Sequence, residues 1–291
     1  MAGDNIVVVA IHDGFGNQLF QYAAGRGYAA RTGAVLQLDT DASEANEGRP
    51  YGLRLLGIEA TKASERDIRR LAPRQDRLTR VLRRLSGRSI TSTRTCFKET
   101  KFYHFDDRML TLRPHLYLYG YWQSARYFDN VREELKHEAR VTAPIPEQTR
   151  RLRERIASTH SVCVHVRRGD YAGSIFRMLP VEYYHHAAAH MAGYVSAPVF
   201  YLFSNDPEWA RDSLKLPGET VLAAEHSGGS FIEDFYLMRA ARHFIIANST
   251  FSWWPAWLGD HPDKITVAPA RWFKREDWSA PELVEPGWHL L

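Results

Sequence analysis

A chain of 291 residues is too long for one small core and, at roughly 100–200 residues per domain, implies two domains. Hydrophobic residues at 44% and charged residues at 25% exclude a disordered or collagen-like chain. The net charge of +4 and pI of about 9.0 fit an anionic substrate, and with no finger or basic-zipper pattern they give no ground for a nucleic-acid partner.

Ile6 to Ile11 is a continuous apolar run rich in β-branched residues, which predicts a strand buried on both faces. It has no basic flank and is too short for a signal-peptide core. No later stretch reaches the ~20 apolar residues that span a bilayer. The two cysteines, Cys96 and Cys163, form no Cys-x-x-Cys pair, so buried thiols in a cytoplasmic protein are expected, not a zinc site or a disulfide framework.

His12-Asp13-Gly14-Phe15-Gly16 then reads as a tight loop, Asn17 to Arg31 as a helix, and Ala34 to Leu38 as a second strand, together a βαβ unit. Ser64 to Arg88 is a helical, arginine-rich stretch broken at Pro73. A solvated face with leucines turned inward explains it, and peripheral contact with an anionic membrane surface or acidic glycan is the sharper alternative. Leu116 to Tyr121 predicts a strand and Ser124 to Arg140 a helix, followed by a linker at Thr142 to Pro146.

A second series follows. Strands are predicted at Val162 to Val166, Val199 to Phe203, near Val221, at His243 to Ala247 and at Ile265 to Ala268. Helices are predicted at Val181 to Met191, Pro207 to Leu214, Phe231 to Ala241 and Phe251 to Leu258. The alternation predicts an α/β protein of two parallel-sheet, Rossmann-like domains facing a cleft, 1–145 and 146–291.

Four stretches carry chemistry, each at the end of a predicted strand, where open α/β sheets bind ligands. His165-Val166-Arg167-Arg168-Gly169-Asp170-Tyr171 gathers two guanidiniums, which grip phosphate in pairs of hydrogen bonds, so a diphosphate is the natural guest. A salt-bridged turn, Arg168 with Asp170, is the plainer explanation. Asn248-Ser249-Thr250-Phe251 opens a helix, whose free N–H groups suit phosphate, with Trp253 and Trp257 four residues apart as core. Ser204-Asn205-Asp206-Pro207 makes a helix start or offers a carboxylate to guanine. Gly14-x-Gly16 lacks the third glycine of a dinucleotide fingerprint, since position 19 is Leu, which argues against a nicotinamide or flavin enzyme.

Gly14 to Ala23, Gly120-Tyr121-Trp122-Gln123-Ser124 with Tyr127-Phe128, His165 to Tyr171, Ser204 to Trp209 and Asp234 to Leu258, in that order, resemble the motifs of the α-1,2-fucosyltransferases, glycosyltransferase family 11. The resemblance implies a GT-B fold, with GDP-fucose held mainly by the C-terminal domain and the acceptor approaching from the N-terminal domain, and inverting transfer of L-fucose from GDP-fucose, a co-substrate, to the 2-hydroxyl of a galactose-terminated glycan. No metal and no cofactor are implied. By the same resemblance Arg167 binds the β-phosphate, His165 and Asp206 lie near guanine, and Ser249, Thr250 and Phe251 line the diphosphate. Asn17 reaches across from the N-terminal half, with Gln18, Arg168, Ser204 and Asn248 completing the donor group. Where relatives often carry glycine and serine, this chain has Asp13 and Ala247. That puts a carboxylate beside the glycine loop, and Asp13 and Asp170 are the candidate bases. Rival expectations are a transferase for another nucleotide sugar and a sugar-binding protein without catalysis.

Overall fold

The computed structural model describes residues 5–72, 92–171 and 173–291. The chain forms two compact units, Met1–Arg140 and Val141–Leu291, each built on a six-stranded sheet. The first sheet uses β1 (Ile6–Ala10), β2 (Val35–Asp39), β3 (Thr61–Lys62), β4 (Ser92–Thr93), β5 (Cys96–Lys98) and β6 (Leu116–Tyr119), in the order β3-β2-β1-β6-β5-β4. It is parallel except for the two-residue edge strand β4. Its centre is β1, whose five residues are all buried, as a strand with both faces covered must be.

The helix Phe15–Thr32 crosses from β1 to β2 and stops at Gly33, which takes the left-handed φ of 68° that other residues avoid. Midway, Gly27 lets a second backbone pass. A Cβ there would press on the carbonyl of Tyr127 and sit 2.8 Å from Phe128 Cα. Backbone cannot swing aside as a side chain can. Gly27→Ala should therefore destabilise by about 1–3 kcal/mol, although alanine in an unstrained helix stabilises by about 1. The urea unfolding midpoint reads the sign directly.

That close approach also explains why Ser124 to Arg140 is not the one helix expected. It is two 3-10 turns, Ala125–Tyr127 and Asp129–Val131, and a short helix, Arg132–Glu138. Tyr127 and Phe128 are both fully buried, with their backbone packed against Gly27. Arg31 Nη1 donates to Tyr127 O at 2.6 Å and holds the break in place. Of the arginine-rich stretch, Glu65–Leu71 is a helix with Leu71 buried and Arg66, Arg69 and Arg70 exposed; Pro73 to Arg88 lies outside the described residues.

The second sheet uses β7 (Ser161–Val166), β8 (Val199–Ser204), β9 (Glu219–Leu222), β10 (His243–Ile245), β11 (Thr266–Ala268) and β12 (His289–Leu290). Its order is β12-β11-β10-β7-β8-β9 and every pair is parallel. Trp253 and Trp257 stack at 5.6 Å inside the core, as their spacing predicts. Both cysteines are buried and unbridged.

Candidate functional site

In the second unit β7 lies between β8, its successor, and β10, which the chain reaches only after completing β9. The winding reverses there, the point at which open α/β sheets bind ligands beyond the carboxyl ends of their strands. His165 is the penultimate residue of β7 and is 4% exposed. His165 Nδ1 and the Ser252 hydroxyl share a hydrogen bond at 2.8 Å. Phe251 lies 5.7 Å from the His165 ring, centroid to centroid.

Across the reversal, β10 runs into Ala247-Asn248-Ser249 and the helix Thr250–Leu258, capped by Ser249 Oγ accepting from Phe251 N–H. This turn is tied down three ways. Tyr171 Oη donates to Asn248 O at 2.7 Å, and Asn248 Nδ2 donates to Arg177 O and Trp272 O at 2.8 and 2.7 Å. Asn248 is 1% exposed. Its amide nitrogen is thus committed to the scaffold, while Oδ1 has no hydrogen-bond partner. The amino end of the helix keeps the N–H groups and positive dipole that suit a phosphate.

Arg167 and Arg168 leave the end of β7 half-buried. The Arg168 guanidinium lies 3.7 Å from the centre of the Trp209 ring, with Nε 3.6 Å from Asp206 Oδ2, and its backbone N–H donates to Asn205 Oδ1 at 2.9 Å. Asp206, from the loop after β8, is thus an ionic partner of Arg168. Asp206 also caps its own helix through Trp209 N–H (3.2 Å), and Ser204 Oγ accepts the Asp206 N–H (2.9 Å). Ser204 and Asp206 thus shape the loop that seats Arg168. Asp170 is described along its backbone only, in the turn Gly169–Tyr171.

In the first unit, the loop after β1 is organised by Asp13. It has φ of 67°, the conformation that glycine adopts freely. Its carboxylate pairs with Arg49 through Oδ1, while Oδ2 accepts from Asn17 Nδ2 at 3.0 Å and Tyr121 Oη at 3.3 Å. With both oxygens engaged, Asp13 organises the loop. Gln123 Nε2 donates to Asn17 Oδ1 at 2.8 Å. Gln18 is fully buried. Its Nε2 donates to Asp13 O and Pro50 O, and its Oε1 accepts from Gly52 N–H, so it braces the loop and does not face a ligand. Asp13→Gly should keep or raise stability relative to Asp13→Val, the β-branched residue losing about 1–2 kcal/mol at positive φ. Thermal melts of the two variants give the comparison.

Two carboxyl groups, Glu99 buried and Asp234 half-buried, stand out only in the structure. Burial pushes Asp234, in the first turn of the helix Phe231–Met238, up to about 7, with Glu233 adding to the shift. Burial likewise pushes Glu99, just after β5, up to about 7, although it accepts from Tyr121 and Trp122 N–H at 2.7 and 3.2 Å. Nothing in the sequence separates either from a solvated acid.

A cavity of about 510 Å³ lined by Glu147, Arg151, Leu152, Glu225 and His226 shares no residue with either loop set. Among the described residues no three of His, Cys, Asp and Glu are placed to hold a metal ion, and no helix is long and apolar enough to cross a membrane.

A model of Glycosyl transferase family 11 matches residues 71–291. The chain is 30% identical over 285 residues to an alpha-1,2-colitosyltransferase of Escherichia coli, covering 94% of each. A galactoside alpha-(1,2)-fucosyltransferase 1 of Ateles belzebuth is 30% identical over 162 residues, which is 50% of this chain and 43% of that one. Among solved structures, the fucosyltransferase NodZ from Bradyrhizobium aligns over 91% of this chain and 95% of its own, with a TM-score of 0.53 at 16% identity. That likeness shows the fold, GT-B-like with two parallel-sheet α/β units.

Proposed function

This chain belongs to Glycosyl transferase family 11, and from that premise we propose that it moves L-fucose from GDP-fucose to the 2-hydroxyl of a galactoside, with inversion at the anomeric carbon and without a metal ion. The observation that carries this is the pairing of Arg167 and Arg168 with the amino end of the helix Thr250–Leu258 across one sheet reversal. Two guanidiniums and a helix start supply positive charge where a diphosphate leaves, the part a metal plays in other transferases.

In this reading the acceptor hydroxyl attacks the anomeric carbon from the face opposite the β-linked phosphate. The C–O bond to phosphate breaks, GDP departs with the electron pair, and the acceptor proton passes to a base or to solvent. Arg167 meets the charge that builds on the β-phosphate. Arg168 is held on Trp209 and Asp206 and helps as a fixed cation. A group acting only on the developing charge lowers the barrier without tightening the ground state.

A second donor has specific support: the E. coli relative matched over 94% of the chain is named for colitose. Colitose is fucose without its 3-hydroxyl, so one lost hydrogen bond separates the two donors.

Incubation with GDP-fucose or GDP-colitose, EDTA, and lactose tests all of this. GDP release that depends on lactose, giving an α-1,2-linked fucoside in EDTA, is the expected result. Preference for GDP-colitose moves the donor assignment to that sugar. No release from either donor by folded protein sinks the proposal.

A further inference from the structure

The first unit has the same kind of reversal as the second. β1 pairs in parallel with β2 on one side and with β6 on the other, and His12 follows β1 while Tyr119 ends β6. These two side chains flank the point beyond the strand ends where a ligand fits an open sheet.

His12 is held in one state by Gln21, which is fully buried. Gln21 Oε1 accepts the His12 backbone N–H at 2.9 Å, which fixes the orientation of the amide. Gln21 Nε2 then faces His12 Nε2 at 3.2 Å, and since an amide nitrogen only donates, the imidazole Nε2 accepts and Nδ1 carries the proton. Burial lowers the His12 pKa, so the ring stays neutral at pH 7. The nearby charges are the Lys98 ammonium, 5.6 Å from the centre of the Tyr119 ring, and the Asp13 carboxylate paired with Arg49.

Around this donor lies an aromatic surface. The His12 ring stacks on Tyr119 at 5.3 Å and meets Tyr121 edge-on at 5.2 Å, and Phe102 meets Tyr121 at 5.9 Å. Tyr119 and Phe102 are 41% and 49% exposed, large apolar rings left in water beside a hydrogen-bond donor. A pyranose matches both properties, with C–H groups on one face and oxygens at the rim.

Resting on the glycan-directed reading above, we infer that this edge is the acceptor subsite, where a neutral pyranose lies against Tyr119 and Phe102 and one of its oxygens accepts a hydrogen bond from His12 Nδ1. Because Nδ1 already holds its proton, His12 binds the acceptor and is not the base.

Two measurements on the full chain decide it. Histidine-labelled ¹⁵N spectra should show His12 protonated on Nδ1 at pH 7; a proton on Nε2 overturns the inference. In steady-state transfer to lactose, His12→Ala and Tyr119→Ala should each raise the lactose KM roughly five- to tenfold, the loss of one hydrogen bond or one ring contact. The KM for GDP-fucose should move less than twofold, and His12→Asn, which keeps a donor N–H near Nδ1, should recover part of the loss. Wild-type transfer with an unchanged lactose KM in both alanine variants overturns the subsite and leaves the transferase reading standing. Absence of transfer by the wild type, with lactose still shifting the His12 resonance, supports the subsite and sinks the donor assignment.

Discussion

Arg167→Ala should lower kcat by about 10²–10³, the usual loss when one donor to a developing oxyanion is removed. The argument is one of position and of what remains. Arg167 stands where β7 ends, at the reversal of the sheet, and the helix Thr250–Leu258 starts across it. Without Arg167 the helix N–H groups and Arg168 still offer positive charge, so activity falls and does not vanish. Arg167→Lys should restore only a part, because an ammonium is a point charge and lacks the planar fork that matches two phosphate oxygens. Arg168→Ala should cost less in rate and more in stability, since that guanidinium is stacked on Trp209 and set near Asp206. Single-turnover rates at saturating donor separate chemistry from binding. Normal turnover by folded Arg167→Ala would remove Arg167 from the mechanism.

The stabilisation that protonated Asp234 and Glu99 contribute should be lost as pH rises from about 4 to about 7, and Asp234→Asn should remove its share of that loss, on the order of 2–4 kcal/mol. Burial raises the Asp234 carboxyl from its ordinary 3.8 to about 7 and the Glu99 carboxyl from 4.5 to about 7. In that window the folded chain holds protons that the unfolded chain has lost. The stabilisation is therefore complete below the unfolded value and disappears as pH climbs through the folded one. His243, which burial lowers to about 4, and His12, lowered likewise, act in the opposite sense inside the window, so the single-residue variant and not the total slope isolates Asp234. Among the described residues no hydrogen bond reaches the Asp234 carboxyl, so the neutral amide should raise the melting temperature at pH 8 and change it little at pH 5. Equal melting shifts at the two pH values would show that Asp234 is not the group that titrates.

The parts of this molecule that sequence reveals are those governed by local pattern. The β-branched run of β1, the helix ended by Gly33 and the clustering of polar residues after β7, β8 and β10 each follow from residues within one element of each other. What stayed hidden depends on partners far along the chain. Ser124 to Arg140 has helical spacing, yet Gly27 and Arg31, about a hundred residues earlier, draw Tyr127 and Phe128 inward and break it. The carbonyls of Arg177 and Trp272, which take the amide hydrogens of Asn248, cannot be read from its local sequence. Nor can the ring of Arg49, Asn17 and Tyr121 around the Asp13 carboxylate. The proton on His12 is set by Gln21, which in sequence is only another polar residue in a helix. The strands β3, β4, β5 and β12, two or three residues each, are too short to show a period of their own.

The central position of β1 has a consequence for synthesis on the ribosome. Val7 to Val9 pair on one side with Leu36 to Leu38 and on the other with Leu116 to Leu118. At roughly 5–20 residues per second, one edge of the most apolar strand in the first unit stays open for about 5–20 s after its first neighbour has emerged. During that time Ile6 to Ala10 offers an unpaired, uncharged ladder to any other nascent chain. Crowding between neighbouring polysomes should therefore lower the soluble yield more steeply than changes made after β6 has been translated.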